Sequence, residues 1–103
     1  MREAQQKVAA FAKAYGLGTD PQARMLDLAS EVGELAKEVL KATGYGSRPL
    51  LQTPALEEEL GDCVFSLLCV SEALGLDGEN ALNLALEKYK ARFAEAGDIG
   101  HRT

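Results

Sequence analysis

Apolar residues recur at spacings of three and four along almost the whole chain, and no stretch alternates long enough to be a strand. The pattern predicts four helices. The first runs over about residues 3 to 15, with Val8, Phe11 and Tyr15 on one side, and "GLGTDP" ends it. Asp20 before Pro21 is a start signal for the second. An Asp side chain accepts from the free amides of a first turn, and proline at the first helical position has no amide to leave unpaired. That helix extends to about Thr43, with Met25, Leu28, Val32, Leu35, Ala36 and Val39 as its apolar face. Thr53 and Pro54 repeat the device for a third helix, which ends near Leu74. The fourth begins at Asp77 or Gly78, with Asn80 in its cap and Leu82, Ala85, Leu86, Tyr89 and Phe93 on one face, and stops near Gly97. Short connections between four helices predict an all-α, antiparallel four-helix bundle, a single domain over residues 1–97 with a tail over 98–103.

The third helix departs from the amphipathic pattern. After Asp62 come Cys63, Val64, Phe65, Leu67, Leu68, Cys69 and Val70, so it is expected to be buried on most sides. A chain of 103 residues has a modest core, and association with further copies is the expected supplement. The net charge of −5 opposes binding of nucleic acid through a basic face. Cys63 and Cys69 lie six residues apart on one helix, which no disulfide can span. They read as buried free thiols suited to a reducing cytoplasm. "MREAQQ" leads into an amphipathic helix rather than a secretory leader, and "VFSLLCVSEALGL" is too short and too polar to cross a membrane.

The chemistry lies in the acids. "EVGELAKEV" puts Glu31, Glu34 and Glu38 on one stripe of the second helix, with Asp27 one turn earlier, at spacings where like charges repel. The third helix offers Glu59 and Asp62 in the same form: Glu, apolar, Gly, acid. If the two helices pack side by side, Glu31, Glu34, Glu59 and Asp62 converge. A divalent cation relieves their repulsion, and hard oxygen ligands favour Mg²⁺ or Mn²⁺. For the second helix alone, a solvated stripe balanced by Lys37 and Lys41 is the simpler reading, because the acids lie roughly opposite the centre of its apolar face. Two features favour a site. The face of Glu59 and Asp62 continues into Ser66, Val70 and Ala73 without a solubilising charge, as at the mouth of a buried region. Gly33 and Gly61 sit in mid-helix, where each costs about 1 kcal/mol relative to alanine; close approach of another helix, or a crowded site, would explain them.

"EVGEL", then a spacer of 24 residues between Glu34 and Glu59 within which "EELGD" begins, resembles the MazG-like members of the all-α nucleoside triphosphate pyrophosphohydrolase superfamily. The resemblance covers about residues 21 to 93. It implies a bundle that works as a homodimer or a dimer of dimers. It implies Mg²⁺-dependent hydrolysis of a ribo- or deoxyribonucleoside triphosphate to the monophosphate and pyrophosphate, in nucleotide-pool house-cleaning. By motif match Glu31, Glu34, Glu59 and Asp62 would hold the metal. Glu34 and Glu38 are the catalytic candidates, Glu38 by binding a second ion or orienting the attacking water. The chemistry needs no Ser, Cys or His nucleophile, which suits a chain whose one histidine is His101. Similar chains often carry a Lys-aromatic-x-x-Arg-aromatic run, matched here by Lys88, Tyr89, Arg92 and Phe93, so Lys88 and Arg92 are candidate phosphate contacts. The Asn common two residues before that Lys is Leu86 here.

Phe65 and Tyr45 are further candidates, for stacking on a base, while Phe11, Tyr89 and Phe93 read as core. Asp98 in the tail could reach a neighbouring subunit. Competing readings are a non-catalytic helical oligomerisation or regulatory module, and a di-iron carboxylate bundle, which lacks its Glu-x-x-His elements here. A phosphoribosyl-ATP pyrophosphohydrolase of the same superfamily would show Lys-x-x-Glu-Glu and an aromatic-His pair where this chain has "DLASE" and "DCVFS". The preferred base and sugar stay open.

Overall fold

The starts of the second, third and fourth helices are built as their cap chemistry requires, while the first has no side-chain cap. The structure, a computed structural model, describes residues 1–96; the tail 98–103, with Asp98 and His101, and the stop at Gly97 lie outside the described residues. Helices span Arg2–Ala14 (α1), Pro21–Ala42 (α2), Pro54–Ala73 (α3) and Gly78–Ala96 (α4), with no strand among the described residues. The Asp20 carboxylate accepts from the Gln22 and Ala23 amides at 3.3 and 3.4 Å, and Thr53 Oγ1 accepts from Leu56 at 3.4 Å. The cap of α4 is Asp77, whose Oδ1 accepts from the Glu79 and Asn80 amides at 2.9 and 3.4 Å. Asn80 therefore lends its backbone to the cap, not its side chain.

The turn after α2 is closed by its own residues. The Arg48 guanidinium donates to the carbonyls of Ala42 and Lys41 at 2.7 and 3.1 Å, satisfying acceptors that the helix end leaves free. Gly44, Tyr45 and Gly46 all have positive φ. A tyrosine at φ 58° is unusual, and its ring stands 72% exposed.

α2 and α3 pack along their length as an antiparallel pair, α1 lies along α3, and α4 meets α1 near its own start. The core is small: among the described residues Leu68, Cys69, Ala42, Gln5 and Ser66 are buried, Leu68 at 2% exposure. Two expectations about packing are corrected. The side of α2 nearest α3 is the stripe Arg24, Leu28, Glu31, Leu35, Glu38 and Ala42, whereas Met25, Val32 and Val39 are 51, 52 and 42% exposed. The acids of α2 thus share the seam with α3 and do not lie opposite the covered face. The reason is that α3 brings its own acids to the same seam, leaving the centre of the apolar face of α2 uncovered. Likewise α3 is not buried on most sides, since Leu60, Val64 and Leu67 are about half exposed. The radius of gyration is 16.6 Å, against about 13 Å for a compact domain of about 100 residues.

Candidate metal centre and active site

Antiparallel packing puts the second turn of α3 beside the middle of α2, and this brings the acids together. One carboxylate oxygen from each of Glu31, Glu59 and Asp62 lies within 4.8 Å of the other two. Glu31 and Glu59 are half-buried and Asp62 is exposed, so the cluster sits at the edge of the seam. Ser66, one turn beyond Asp62, is buried, which places the acids at the mouth of the packed region.

The electrostatics of the cluster follow from that crowding. Burial, then the charges of Asp62 and Glu34, push the Glu31 carboxyl above the ordinary carboxylate range. Burial and the charge of Asp62 do the same to Glu59, with smaller contributions from Glu31, Glu34 and Glu38. The closeness of the Asp62 carboxyl favours a proton shared between it and Glu31. A divalent cation does the work of that proton, and three hard oxygen donors at this spacing suit Mg²⁺ or Mn²⁺. The donor set fits the ion that the sequence implied.

The remaining acids of the stripe stand differently. Glu34 is exposed and is not part of the three-oxygen group, although its charge is felt by both Glu31 and Glu59. Glu38 is half-buried and pairs with Lys41 at 3.3 Å. Asp27 turns away to pair with Arg24 at 2.9 Å. Arg24 is thereby partly neutralised, but its buried Nε has no partner.

Other anticipated residues lie apart from the acids. Phe65 meets Phe11 edge to face at 5.8 Å, and Phe11 in turn contacts Tyr15 at 4.6 Å, so Phe65 faces α1. Lys88 and Arg92 both lie over the Tyr89 ring, at 4.9 and 5.5 Å from its centroid, on a helix whose Leu82, Tyr89 and Phe93 are 42 to 46% exposed. The core role expected for Tyr89 and Phe93 is thus not filled within one chain. Cys69 is buried as expected, but Cys63 is only half-buried and borders the cluster. Burial and the charges of Glu31, Glu59 and Asp62 push its thiol up, which keeps it protonated. Gly33 and Gly61 do not mark close approach within the chain, because an added Cβ at either meets nothing within 4 Å.

Sequence reading missed Gln5 and Arg24. Both are polar residues in register with apolar ones, Gln5 three before Val8 and Arg24 four before Leu28. A polar side chain at a core position is the signal that could have found them.

The comparisons with known proteins agree with this architecture. The family description "MazG nucleotide pyrophosphohydrolase domain" matches residues 19–96. YpjD of Bacillus subtilis (strain 168), an uncharacterized protein, is 37% identical over 75 residues, which are 70% of this chain and 66% of YpjD. The matched stretch is thus just under two thirds of that relative's length. The crystal structure of YpjD, described there as a proposed pyrophosphatase, superposes with a TM-score of 0.73 at 33% identity, covering 89% of this chain and 94% of that one. The Bacillus-conserved MazG protein, a nucleotide pyrophosphohydrolase, superposes with a TM-score of 0.71 at 34% identity, covering 84 and 85%. With all four helices, the two acid-bearing segments and the family match in agreement, the chain belongs to the MazG nucleotide pyrophosphohydrolase family.

Proposed function

We propose that this chain hydrolyses a ribo- or deoxyribonucleoside triphosphate between the α and β phosphates, releasing the monophosphate and pyrophosphate, with Mg²⁺ or Mn²⁺ as cofactor. The observation that carries the proposal is the meeting of the Glu31, Glu59 and Asp62 oxygens within 4.8 Å in a chain of this family. Glu31, Glu59 and Asp62 hold the ion, and Glu34, one helical turn from Glu31, completes the set by a change of rotamer. When bound, such an ion neutralises triphosphate charge and favours departure of pyrophosphate.

The chain's own groups do the rest. Glu34 and Glu38 orient the attacking water and accept its proton. Glu38 must first leave Lys41, and an exposed pair of that kind is worth little. Lys88 and Arg92 contact the phosphates. Because α4 meets the bundle near its start, they serve the acids of a second copy of the chain. Self-association, as a homodimer or a dimer of dimers, is supported by the apolar side chains of α2, α3 and α4 that one chain leaves half-covered. The free thiols suit a reducing compartment, and no described helix is long and apolar enough to cross a membrane. Removal of unwanted nucleotides is the role that fits such an activity.

The test is pyrophosphate release from a panel of NTPs and dNTPs, with Mg²⁺, with Mn²⁺ and with chelator, on wild type and Glu34→Gln. Metal-dependent release that the substitution abolishes is expected. No release from any nucleotide, with no heat of Mn²⁺ binding, would leave a helical interaction module in its place.

A further inference from the structure

We infer that Gln5 is a positioning residue that sets the direction of α4. Its consequence for catalysis rests on the phosphate-contact reading of Lys88 and Arg92; its effect on α4 does not.

Gln5 is 7% exposed and uses both ends of its amide. Nε2 donates to Glu72 Oε2 at 2.6 Å and to the Leu76 carbonyl at 2.9 Å, while Oε1 accepts from the Gly78 amide at 2.8 Å. One side chain of α1 therefore ties together the last turn of α3, the connection after it and the first residue of α4. Only a group with two donors and an acceptor on one short plane can do this. Leucine would leave the Leu76 carbonyl and the Gly78 amide without their partner. Glutamate would face the Glu72 carboxylate at hydrogen-bond distance.

Gly78 is shaped to the same contact. A Cβ there would stand 3.0 Å from Gln5 Oε1, 3.3 Å from Met1 Sδ and 3.4 Å from Ser71 Oγ. Its φ is not positive, so the backbone itself does not call for glycine. The glycine is explained by the approach of Gln5 and not by its own backbone angles.

Other holds on α4 are weaker. Arg2 reaches Asp77 and Glu79 at 2.7 Å each and the N-terminal ammonium reaches Glu79 at 3.0 Å, but these pairs are open to water. Within one chain apolar packing adds little, since Leu82, Leu86, Tyr89 and Phe93 are all at least 42% exposed. A long helix held at one end is a lever. Arg92 lies 14 residues from Gly78, about 21 Å along the axis, so a tilt of about 20° carries it about 7 Å. Catalytic contacts fail over far smaller errors than that.

The experiment uses the assembled protein and compares wild type with Gln5→Leu, Gly78→Ala and Lys88→Ala. Residue-resolved amide exchange is expected to speed up about tenfold at Gly78 and through the first turns of α4 in both Gln5→Leu and Gly78→Ala, with α2 and α3 unchanged. Mn²⁺ affinity is also expected to be unchanged. In the hydrolysis assay Gln5→Leu and Lys88→Ala should each lower kcat/KM, and their double variant should fall little below the worse single one. Unchanged exchange in α4 overturns the inference, as do losses that multiply in the double variant. A wild-type protein that releases no pyrophosphate defeats the functional reading alone, and the exchange measurement still decides on Gln5. Gly78→Ala keeps the Gln5 amide in the chain, so it answers the question if Gln5→Leu does not fold.

Discussion

Gly33→Ala separates the stability of the chain from that of its assembly. Gly33 lies in the middle of α2 with helical backbone, and an added methyl meets nothing within 4 Å. Within one chain the substitution therefore removes only the entropic cost of glycine, about 0.8–1 kcal/mol. For a domain of this size that gain raises Tm by about 4–8 °C. On the face of Gly33, Leu26 and Leu40 lie two turns away on either side along α2 and are 71 and 48% exposed. A second copy seated there would meet the new methyl. Urea unfolding followed by far-UV circular dichroism, across protein concentrations that bracket dissociation measured by sedimentation, resolves the two effects. The full gain is expected at the lowest concentration. At high concentration it should shrink, with dissociation of the assembly strengthened about tenfold, the equivalent of about 1.4 kcal/mol. The same full gain at every concentration, with unchanged dissociation, would refute the idea that this face is covered by another copy. No gain at the lowest concentration would refute the helix-propensity argument itself.

Three further outcomes are expected. Glu31 and Glu59 titrate above the ordinary 4.5 for burial first and neighbouring charge second, so their contribution to stability is full below that value and is lost as pH rises through the raised values. Metal-free Glu31→Gln should therefore gain on wild type as pH rises from about 4 to 7, measured by urea unfolding at each pH; a constant difference would contradict the assignment. Asp77, held low by the hydrogen bond from Arg2, acts in the opposite sense and loses its contribution as pH falls, so it sets part of the acid limb. Leu68→Ala removes the most buried side chain and should cost about 2–5 kcal/mol in urea unfolding; a loss under 1 kcal/mol would mean that the core lies elsewhere. Lys88→Ala should lower kcat/KM for nucleotides without changing the calorimetric affinity for Mn²⁺, and a parallel loss of metal binding would argue against a phosphate role.

Local chemistry was legible in the sequence and long-range cover was not. Asp20 with Pro21, and Thr53 with Pro54, announce helix starts because capping involves only the next three residues. Glu59 and Asp62 could be paired with Glu31 because a three-residue step on each of two helices leaves few other ways to converge. The side of α2 that meets α3 could not be read this way. Periodicity sorts residues into faces, but Met25, Val32 and Val39 look the same whether their own chain or another covers them. A helical wheel alone sets Glu31 and Glu38 opposite the centre of that apolar face, and only the pairing of Glu31 with Glu59 and Asp62 points to the seam. Gly33 and Gly61 stand out in mid-helix, but no neighbour among the described residues explains them. Gln5 was passed over because a count of apolar positions assigns no weight to an amide, although that amide holds three partners far away in sequence.

The connection closed by Arg48 has a consequence for folding. All six acids of the stripe and cluster, Asp27, Glu31, Glu34, Glu38, Glu59 and Asp62, belong to one uninterrupted helical hairpin, and its turn satisfies its own carbonyls without help from α1 or α4. Closing a short loop is fast, and contacts of modest sequence separation form early. The hairpin precedes α4 in the chain, so its contacts form without α4, whereas α1 cannot grip the start of α4 until that helix has followed the hairpin. The order of events is thus written into the connectivity: the carboxylates meet first, and the helix bearing Lys88 and Arg92 is aimed last.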